Sequence, residues 1–321
     1  MTSAARIDVV VIGAGAAGMM CAIEAGRRGR RVVVLDHARA PGEKIRISGG
    51  GRCNFTNRDA GPRHFLTSNP GFPISALKRF SAQDFIRRID ARGIAYHEKT
   101  LGQLFCDGSS RQVVDMLTDG LCEAGAELRL ATSVTGIERT ADGFELRTTT
   151  GALACSSLVI ATGGKSIPKM GATGFGYDVA ERFGLKVLPT RPGLVPLTLE
   201  PGLLARLAPL AGVSVEARVR HGKTSFDEGL LFTHRGLSGP AILQISSYWR
   251  EGEEIEIVMA PGTDVFAELR AARAANGRQA PSTLLAGILP KRLAQAIAEQ
   301  EADGRNLADL SDKALRRIEA A

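Results

Sequence analysis

Residues 7–18, IDVVVIGAGAAG, leave this chain little freedom of fold. A short β-branched run, Ile7 to Ile12, is followed by Gly13, Gly15 and Gly18 in the spacing G-x-G-x-x-G. A helical stretch then runs to Gly29, and a second apolar run, RRVVVL, ends at Asp36. With a strand before it, a helix after it and an acid closing the next strand, the glycine spacing is a dinucleotide-binding signature. Gly13 permits the tight turn, Gly15 lets a pyrophosphate reach bare backbone, and Gly18 lets the helix lie close on the sheet. The helix N-terminus adds free N–H groups and the positive end of its dipole. Asp36 suits a ribose diol rather than a 2′-phosphate. The two strands are expected to be parallel, as in any βαβ unit. Ala17, Met20, Cys21, Glu24 and Ala25 share helical spacing, and Met19 and Met20 read as packing against the sheet.

Downstream, 75–93 reads as one helix with Ser81 or Asp84 as a possible cap, and 109–125 as another. From Glu127 to Gly151 the pattern is strand, strand, a turn at Asp142-Gly143, and strand. Residues 157–164, SLVIATGG, form a further apolar strand that ends in glycines. The texture changes near Arg191, where short alternating strands are separated by Gly and Pro. It changes again near Thr263, where polar-faced helices begin, PKRLAQAIAEQ and LADLSDKALRRIEA being the clearest.

A nicotinamide dehydrogenase would continue in alternating strand–helix units. Here the next stretch is the open run KIRISGGGRCNFTN, and later Ala161, Thr162 and Gly163 bring bare backbone to the carboxyl end of a strand in the same sheet, where ligands bind. Two glycine-rich approaches to one crevice suit a long ligand such as FAD. GATGFG, 171–176, is no second fingerprint, because no strand precedes it. NAD(P)H, as electron donor, would therefore lack a Rossmann domain of its own here.

The net charge of +7 invites a nucleic-acid partner. Against that, pairs such as Arg27-Arg28, Arg30-Arg31 and Arg87-Arg88 are dispersed, with no interleaved aromatic platform. The charge is read instead as attraction to an anionic cofactor or small-molecule substrate. Five scattered cysteines without a CxxC pair suit a reducing, cytoplasmic setting. No early apolar run reaches membrane-span length, so no membrane partner is expected. Nothing in the sequence sets the oligomeric state.

No Ser-His-Asp or metal-ligand spacing stands out. The catalytic candidates are Arg52, as positive charge near flavin or substrate, Asn54, as a hydrogen-bonding group, and His234 in FTHRGLSGP, as a general acid. For His234 an ordinary turn with a satisfied ring is the slightly preferred reading. Asn57 is a further hydrogen-bonding candidate. Cys53 beside Arg52 has the setting of an activated thiol, but packing against a cofactor is the favoured reading. Cys21 and Cys122 lie on helix faces and read as core.

In order along the chain, VVVIGAGAAGMMCAIEAGRRGRRVVVLD, GEKIRISGGGRCNFTN, LVIATGGKSIPKMGATGFGYDVAERFG and LLFTHRGLSGPAILQIS resemble the BaiN-like, aminoacetone-oxidase-type flavoproteins. The resemblance spans essentially the whole chain, and S-G-G-G-R-C-N-x-T-N is its most specific block. It implies an α/β protein: a Rossmann-type FAD-binding domain, here 1–190, with an inserted two-layer domain whose β-rich part is 191–262 and helical part 263–321. It implies that Gly13, Gly15, Ala16, Ala17 and Gly18 hold the pyrophosphate and Asp36 the adenosine ribose. Lys44, Ser48, Gly49, Gly50, Gly51, Arg52, Cys53 and Asn54 would follow the pyrophosphate toward the isoalloxazine. Val134 would meet the adenine through its backbone, with Ala161, Thr162 and Gly163 passing close by. Phe175 and Leu185 depart from the family pattern, which often has Asp and His there. The resemblance further implies a strand and helix beyond Ala321 that complete the flavin domain. It allows NAD(P)H-dependent reduction of a conjugated enone, the preferred reading, or oxidation of a small amine with O₂. A tRNA-modifying or non-catalytic flavin-binding role is the alternative of another class.

Overall fold

The computed structural model of the protein describes residues 7–321, which form two compact units divided between Pro189 and Thr190. The first unit contains β1 (Ile7–Ile12), α1 (Ala16–Arg27), β2 (Val32–Leu35), α2 (Glu43–Ile47), a 3₁₀ turn (Ser48–Gly51) and β3 (Asn54–Asn57). There follow α3 (Ile74–Arg79), α4 (Ala82–Ala91), β4 (Tyr96–Glu98), β5 (Gln103–Cys106) and α5 (Arg111–Glu123). It closes with β6 (Glu127–Arg129), β7 (Val134–Thr140), β8 (Gly143–Thr148), β9 (Gly151–Ile160) and α6 (Phe175–Arg182).

Its main sheet has the order β6-β2-β1-β9-β8-β7, and β3, β5 and β4 form a separate antiparallel ribbon. β1 and β2 are parallel, Val9 facing Val32 and Ile12 facing Leu35. β2 is buried along its whole length and β1 from Val10 to Ile12, which explains the Val, Ile and Leu runs there. β9 corrects the expected boundaries, because one strand serves two partners. Its first half pairs antiparallel with β8, Thr148 facing Gly151, and its length from Cys155 to Ile160 runs parallel to β1. The stretch from Ala161 to Gly164 is loop rather than strand.

Three further expectations are corrected here. The buried stripe of α1 is Gly18, Met19, Ala22 and Ile23, one position round from the stripe read in the sequence. That face meets the sheet and α5, where a Cβ on Gly120 would come within 2.9 Å of Ile23 Cδ1. Residues 75–93 are two helices. Ser81 starts the second, accepting the Asp84 N–H at 3.3 Å while Asp84 Oδ2 accepts the Ser81 N–H at 2.7 Å. Cys122 is exposed, because α5 buries Val113, Val114, Met116, Leu117, Gly120 and Leu121, and position 122 turns away from that stripe.

The second unit contains β10 (Leu197–Thr198), α7 (Pro201–Leu207), β11 (Ser214–His221), β12 (Thr224–Thr233), β13 (Gly236–Ser238) and α8 (Pro240–Ile245). Then come β14 (Glu256–Val258), α9 (Val265–Ala275), α10 (Pro281–Leu285), α11 (Lys291–Ala302) and α12 (Asp312–Ala320). The strands form an antiparallel sheet, β10-β13-β12-β11-β14. Val219 and Leu230 of this sheet share one core with Leu269, Ala294 and Leu315 of the helices. The β-rich and helical stretches therefore bury their apolar faces against each other. Among the described residues, no helix is long and apolar enough to cross a membrane.

Candidate functional site

A crevice of about 630 Å³ opens at the carboxyl ends of β1, β2 and β9 in the first unit. That is the size and the place expected for a ligand of an open α/β sheet. The turn after β1 and the loop after β9 form one wall and touch. Ala161 N–H donates to Ile12 O at 2.8 Å, and a Cβ on Gly13 would lie 2.4 Å from Ala161 O. Gly13 also has φ +111, so only glycine closes this contact without strain. A Cβ on Gly18 would fall 1.9 Å from Gly13 O, which is the close helix–sheet approach its position predicts. Gly15 differs: its φ is −84, and a side chain there would meet nothing within 4 Å. It faces open crevice. The first turn of α1 has no side-chain cap, and Ala16 and Ala17 line the crevice with its unsatisfied N–H end.

Asp36 also lines the crevice and is mostly shielded. Its Oδ2 accepts the Ala14 N–H at 2.6 Å and its Oδ1 the Ala38 N–H at 2.8 Å. One carboxylate thus ties the glycine turn to the end of β2, with lone pairs left for a diol. Val134 arrives beside it because Thr132 N–H donates to Asp36 O at 2.8 Å and Ala131 N–H to Ala38 O at 2.8 Å. Thr132, Ser133 and Val134 then form the adjoining lip. Lys44, on α2, crosses toward the β9 loop, its Nζ donating to Gly164 O at 3.2 Å and Ser166 Oγ at 2.9 Å.

Of the glycine run, Ser48, Cys53 and Asn54 line the crevice. Gly49, Gly50, Gly51 and Arg52 are not among the residues that line it, nor is Gly18. The three glycines have φ of +57, +66 and +87, so the left-handed path of the backbone itself accounts for missing side chains. That path is pinned: Cys53 N–H donates to Ser48 O at 2.9 Å, and Ser110 N–H to Gly51 O at 2.8 Å. Arg52 is exposed, and its carbonyl accepts the Cys106 N–H at 2.9 Å. Asn54, with its side-chain amide turned so that the nitrogen faces the carbonyls, donates to Leu104 O at 3.2 Å and Thr56 O at 3.0 Å; the opposite orientation would set its oxygen against both. Asn57 Nδ2 donates to Leu101 O at 2.8 Å, which fixes the turn before β5.

Cys53 and Cys106 are buried, and burial pushes both thiols up, Cys106 to about 11. A hydrogen bond with Ser48 offsets part of the effect at Cys53. Cys53 is therefore no activated thiolate, and it packs in the core with Cys106. His234 lies exposed in the second unit, in the β12–β13 turn whose Thr233 Oγ1 accepts the N–H groups of Arg235 and Gly236.

Several lining residues carried no signal that was read in the sequence. Ala14 acts only through its N–H. Phe55 and Phe85, with ring centroids 6.1 Å apart, come from β3 and α4 to one wall. Met170 to Thr173 and Phe175 form another part, although GATGFG is no fingerprint. Its glycines and Thr173 before a helix N-terminus were the available clue.

Among protein families, the one described as the HI0933-like protein Rossmann domain matches residues 7–304. The chain is 50% identical over 295 residues to a protein of Escherichia coli (strain K12) named ribosomal RNA dihydrouridine synthase, covering 92% of this chain and 74% of that one. It is 43% identical to a Haemophilus influenzae protein of the same name, covering 91% and 74%. It is 27% identical over 310 residues to a 3-dehydro-bile acid delta(4,6)-reductase of Clostridium scindens, covering 90% and 74%.

Proposed function

We infer the function from one premise: the chain belongs to the HI0933-like Rossmann-domain family. Its fold is the Rossmann-type FAD-binding one, and it is an FAD-dependent oxidoreductase. The reaction we propose is reduction of uridine to dihydrouridine in RNA, with ribosomal RNA as the substrate class. The observation that carries it is the 50% identity, over 92% of the chain, to a protein named for that reaction.

The chemistry fits the preferred enone reading. The C5=C6 bond of uracil is conjugated with the C4 carbonyl, so it is an enone in electronic terms. The name of the bile-acid relative likewise describes double bonds conjugated with a ketone at position 3. Both names favour reduction over amine oxidation. With NAD(P)H as the proposed donor, uridine, NAD(P)H and one proton give dihydrouridine and NAD(P)⁺. A hydride goes to C6, the carbon β to the carbonyl, and a proton to C5.

Three features support FAD in the crevice. The Gly15 position leaves room for a pyrophosphate where a Cβ would otherwise project, and the uncapped start of α1 supplies N–H donors beside it. Asp36 keeps acceptor capacity for a ribose. Lys44 places an ammonium beside the glycines that follow β9. Bound there, FAD supplies the hydride acceptor and donor that no side chain of this protein can supply. The chain's own work is to hold the adenosine end at Asp36 and Val134, fix the pyrophosphate at α1, and line the remaining wall with Phe55, Phe85 and Phe175, which exclude water.

The test is anaerobic turnover of the holoprotein with unmodified ribosomal RNA transcript and NADH or NADPH. Nuclease digestion and mass spectrometry should show a uridine that has gained two hydrogens. Its absence with both donors would sink the proposal.

A further inference from the structure

We propose that the segment from Arg58 to Arg79 is a docking surface for unpaired RNA, on which Phe65 and Phe72 stack bases while Lys78 and Arg79 meet phosphates. The inference rests on the RNA reading above and adds where the substrate strand lies.

Every residue from Pro62 to Phe72 is exposed, and the buried Pro73 ends the run. Large apolar side chains are nevertheless concentrated there: Phe72 is 74% exposed, Leu66 53%, Ile74 51% and Phe65 48%. Exposed apolar side chains concentrated in one short segment mark a place for interaction. Of its four basic residues, Arg58 pairs with Glu98 and Arg63 with Asp59, so Lys78 and Arg79 are the cations the segment offers to phosphate. Aromatic faces interleaved with cationic side chains are what unpaired nucleic acid needs, since every base has a stacking face and every linkage a charge. Duplex RNA would leave the two rings unused. The loop is also ordered rather than slack. Asn69 Oδ1 accepts the Gly71 N–H at 3.1 Å, Asn69 O accepts the Phe72 N–H at 2.9 Å, and Ile74 N–H donates to Gly71 O at 3.3 Å.

Its place in the unit gives the surface its purpose. The segment departs directly after β3, whose Asn54 and Phe55 line the crevice, and returns just before Phe85, which lines it too. Phe80 packs edge-on against Phe85 at 6.5 Å, so the return is anchored to the crevice wall. A strand held on Phe65 and Phe72 would therefore run beside the mouth of the crevice, where one extruded uridine could enter.

The experiment is fluorescence anisotropy of the holoprotein with a fluorescein-labelled oligouridylate of about twelve nucleotides. A duplex of that length and phosphatidylglycerol vesicles serve as rival probes. Phe65→Ala with Phe72→Ala should weaken oligouridylate binding roughly tenfold or more, whereas Phe65→Tyr with Phe72→Tyr should retain it. Lys78→Gln with Arg79→Gln should reduce the slope of log affinity against log salt by about 1.4, roughly 0.7 for each lost phosphate contact. Flavin absorbance and thermal melting should stay at wild-type values throughout. Should the alanine pair misfold, Phe72→Trp gives an independent reading, because oligouridylate should quench its emission above the background of Trp249. Unchanged affinity in the alanine pair, or absent quenching, overturns this surface while uridine reduction by the wild type leaves the proposed function standing. Preference for duplex or for vesicles over the single strand also overturns it. Loss of uridine reduction in the wild type itself removes the RNA reading instead.

Discussion

Gly13 and Ala161 are joined so closely that a methyl group on the first would lie 2.4 Å from the carbonyl oxygen of the second. They sit at the ends of neighbouring parallel strands, β1 and β9, and this contact shapes the floor between the two loops. Gly15, two residues on, has no such neighbour. Two glycines of one motif therefore do different work, the first for the fold and the second for the ligand.

That difference is measurable. Gly13→Ala should destabilise the apoprotein by roughly 2 kcal/mol or more, since it combines a backbone clash with φ +111. Gly15→Val should leave apoprotein stability within about 0.5 kcal/mol of wild type and yet abolish FAD retention. Chemical denaturation without FAD and flavin release on heating read the two effects separately. Equal loss of stability in both variants would remove the distinction.

Asp36 gives a second prediction. Its carboxylate accepts two N–H groups, from Ala14 and Ala38. In Asp36→Asn one of those amides faces an NH₂ group, so a donor is left unpaired at a cost of about 1–3 kcal/mol. The charge that suits a ribose diol goes at the same time. FAD affinity should fall about tenfold to a hundredfold by titration, and the apoprotein should melt earlier. An unchanged dissociation constant would exclude the ribose role, even if stability falls.

The fingerprint and Asp36 were legible because their chemistry is local: strand, turn, helix and strand follow one another, and the spacing alone brings the acid to the turn. Less legible were features created by distant chain. β9 read as the end of one pattern and the start of another, because its two halves answer to different neighbours, β8 and β1. Thr132 and Ser133 reach the crevice through backbone hydrogen bonds to Asp36 and its neighbours, which no side-chain pattern reports. The triple glycine was legible as unusual, but its positive φ values belong to the turn it makes, and Gly50 does not line the crevice. The aromatic character of the surface from Pro62 to Phe72 was missed because Phe65 and Phe72 look like core residues until exposure separates them from Phe55 and Phe85.

The buried thiols make the third prediction, on pH. Burial raises Cys106 to about 11 and raises Cys53 above its usual value. The unfolded chain releases these protons first, near the ordinary thiol range of about 8.5. It therefore binds fewer protons than the native chain at higher pH, and stability falls as pH rises from that range toward 11. Replacing Cys106 by Ala or Ser should flatten this part of the stability curve. Below it, native protein should alkylate first at the exposed Cys122, with Cys53 and Cys106 reacting only on unfolding. Rapid labelling of Cys53 at neutral pH would contradict the shift.

The break between α3 and α4 supports a fourth. Ser81 and Asp84 exchange hydrogen bonds across the first turn of α4, and the Ser81 hydroxyl also donates to Asp84 Oδ2 at 2.6 Å. These bonds, led by that of the Ser81 side chain, hold the Asp84 carboxyl below its usual range. Ser81→Ala removes the cap and should cost about 1 kcal/mol. The helix it caps carries Phe85 to the crevice wall and the buried Ile86 and Ile89 to the core, so loosening should reach the site as well. Because the folded pKa is depressed, the contribution is present above the unfolded value of 3.8 and fades as pH falls through the lower, folded one. The stability difference between wild type and Ser81→Ala should therefore be larger at pH 7 than in strong acid. A constant difference across that range would show that the Ser81 hydroxyl contributes nothing to the ionisation of Asp84.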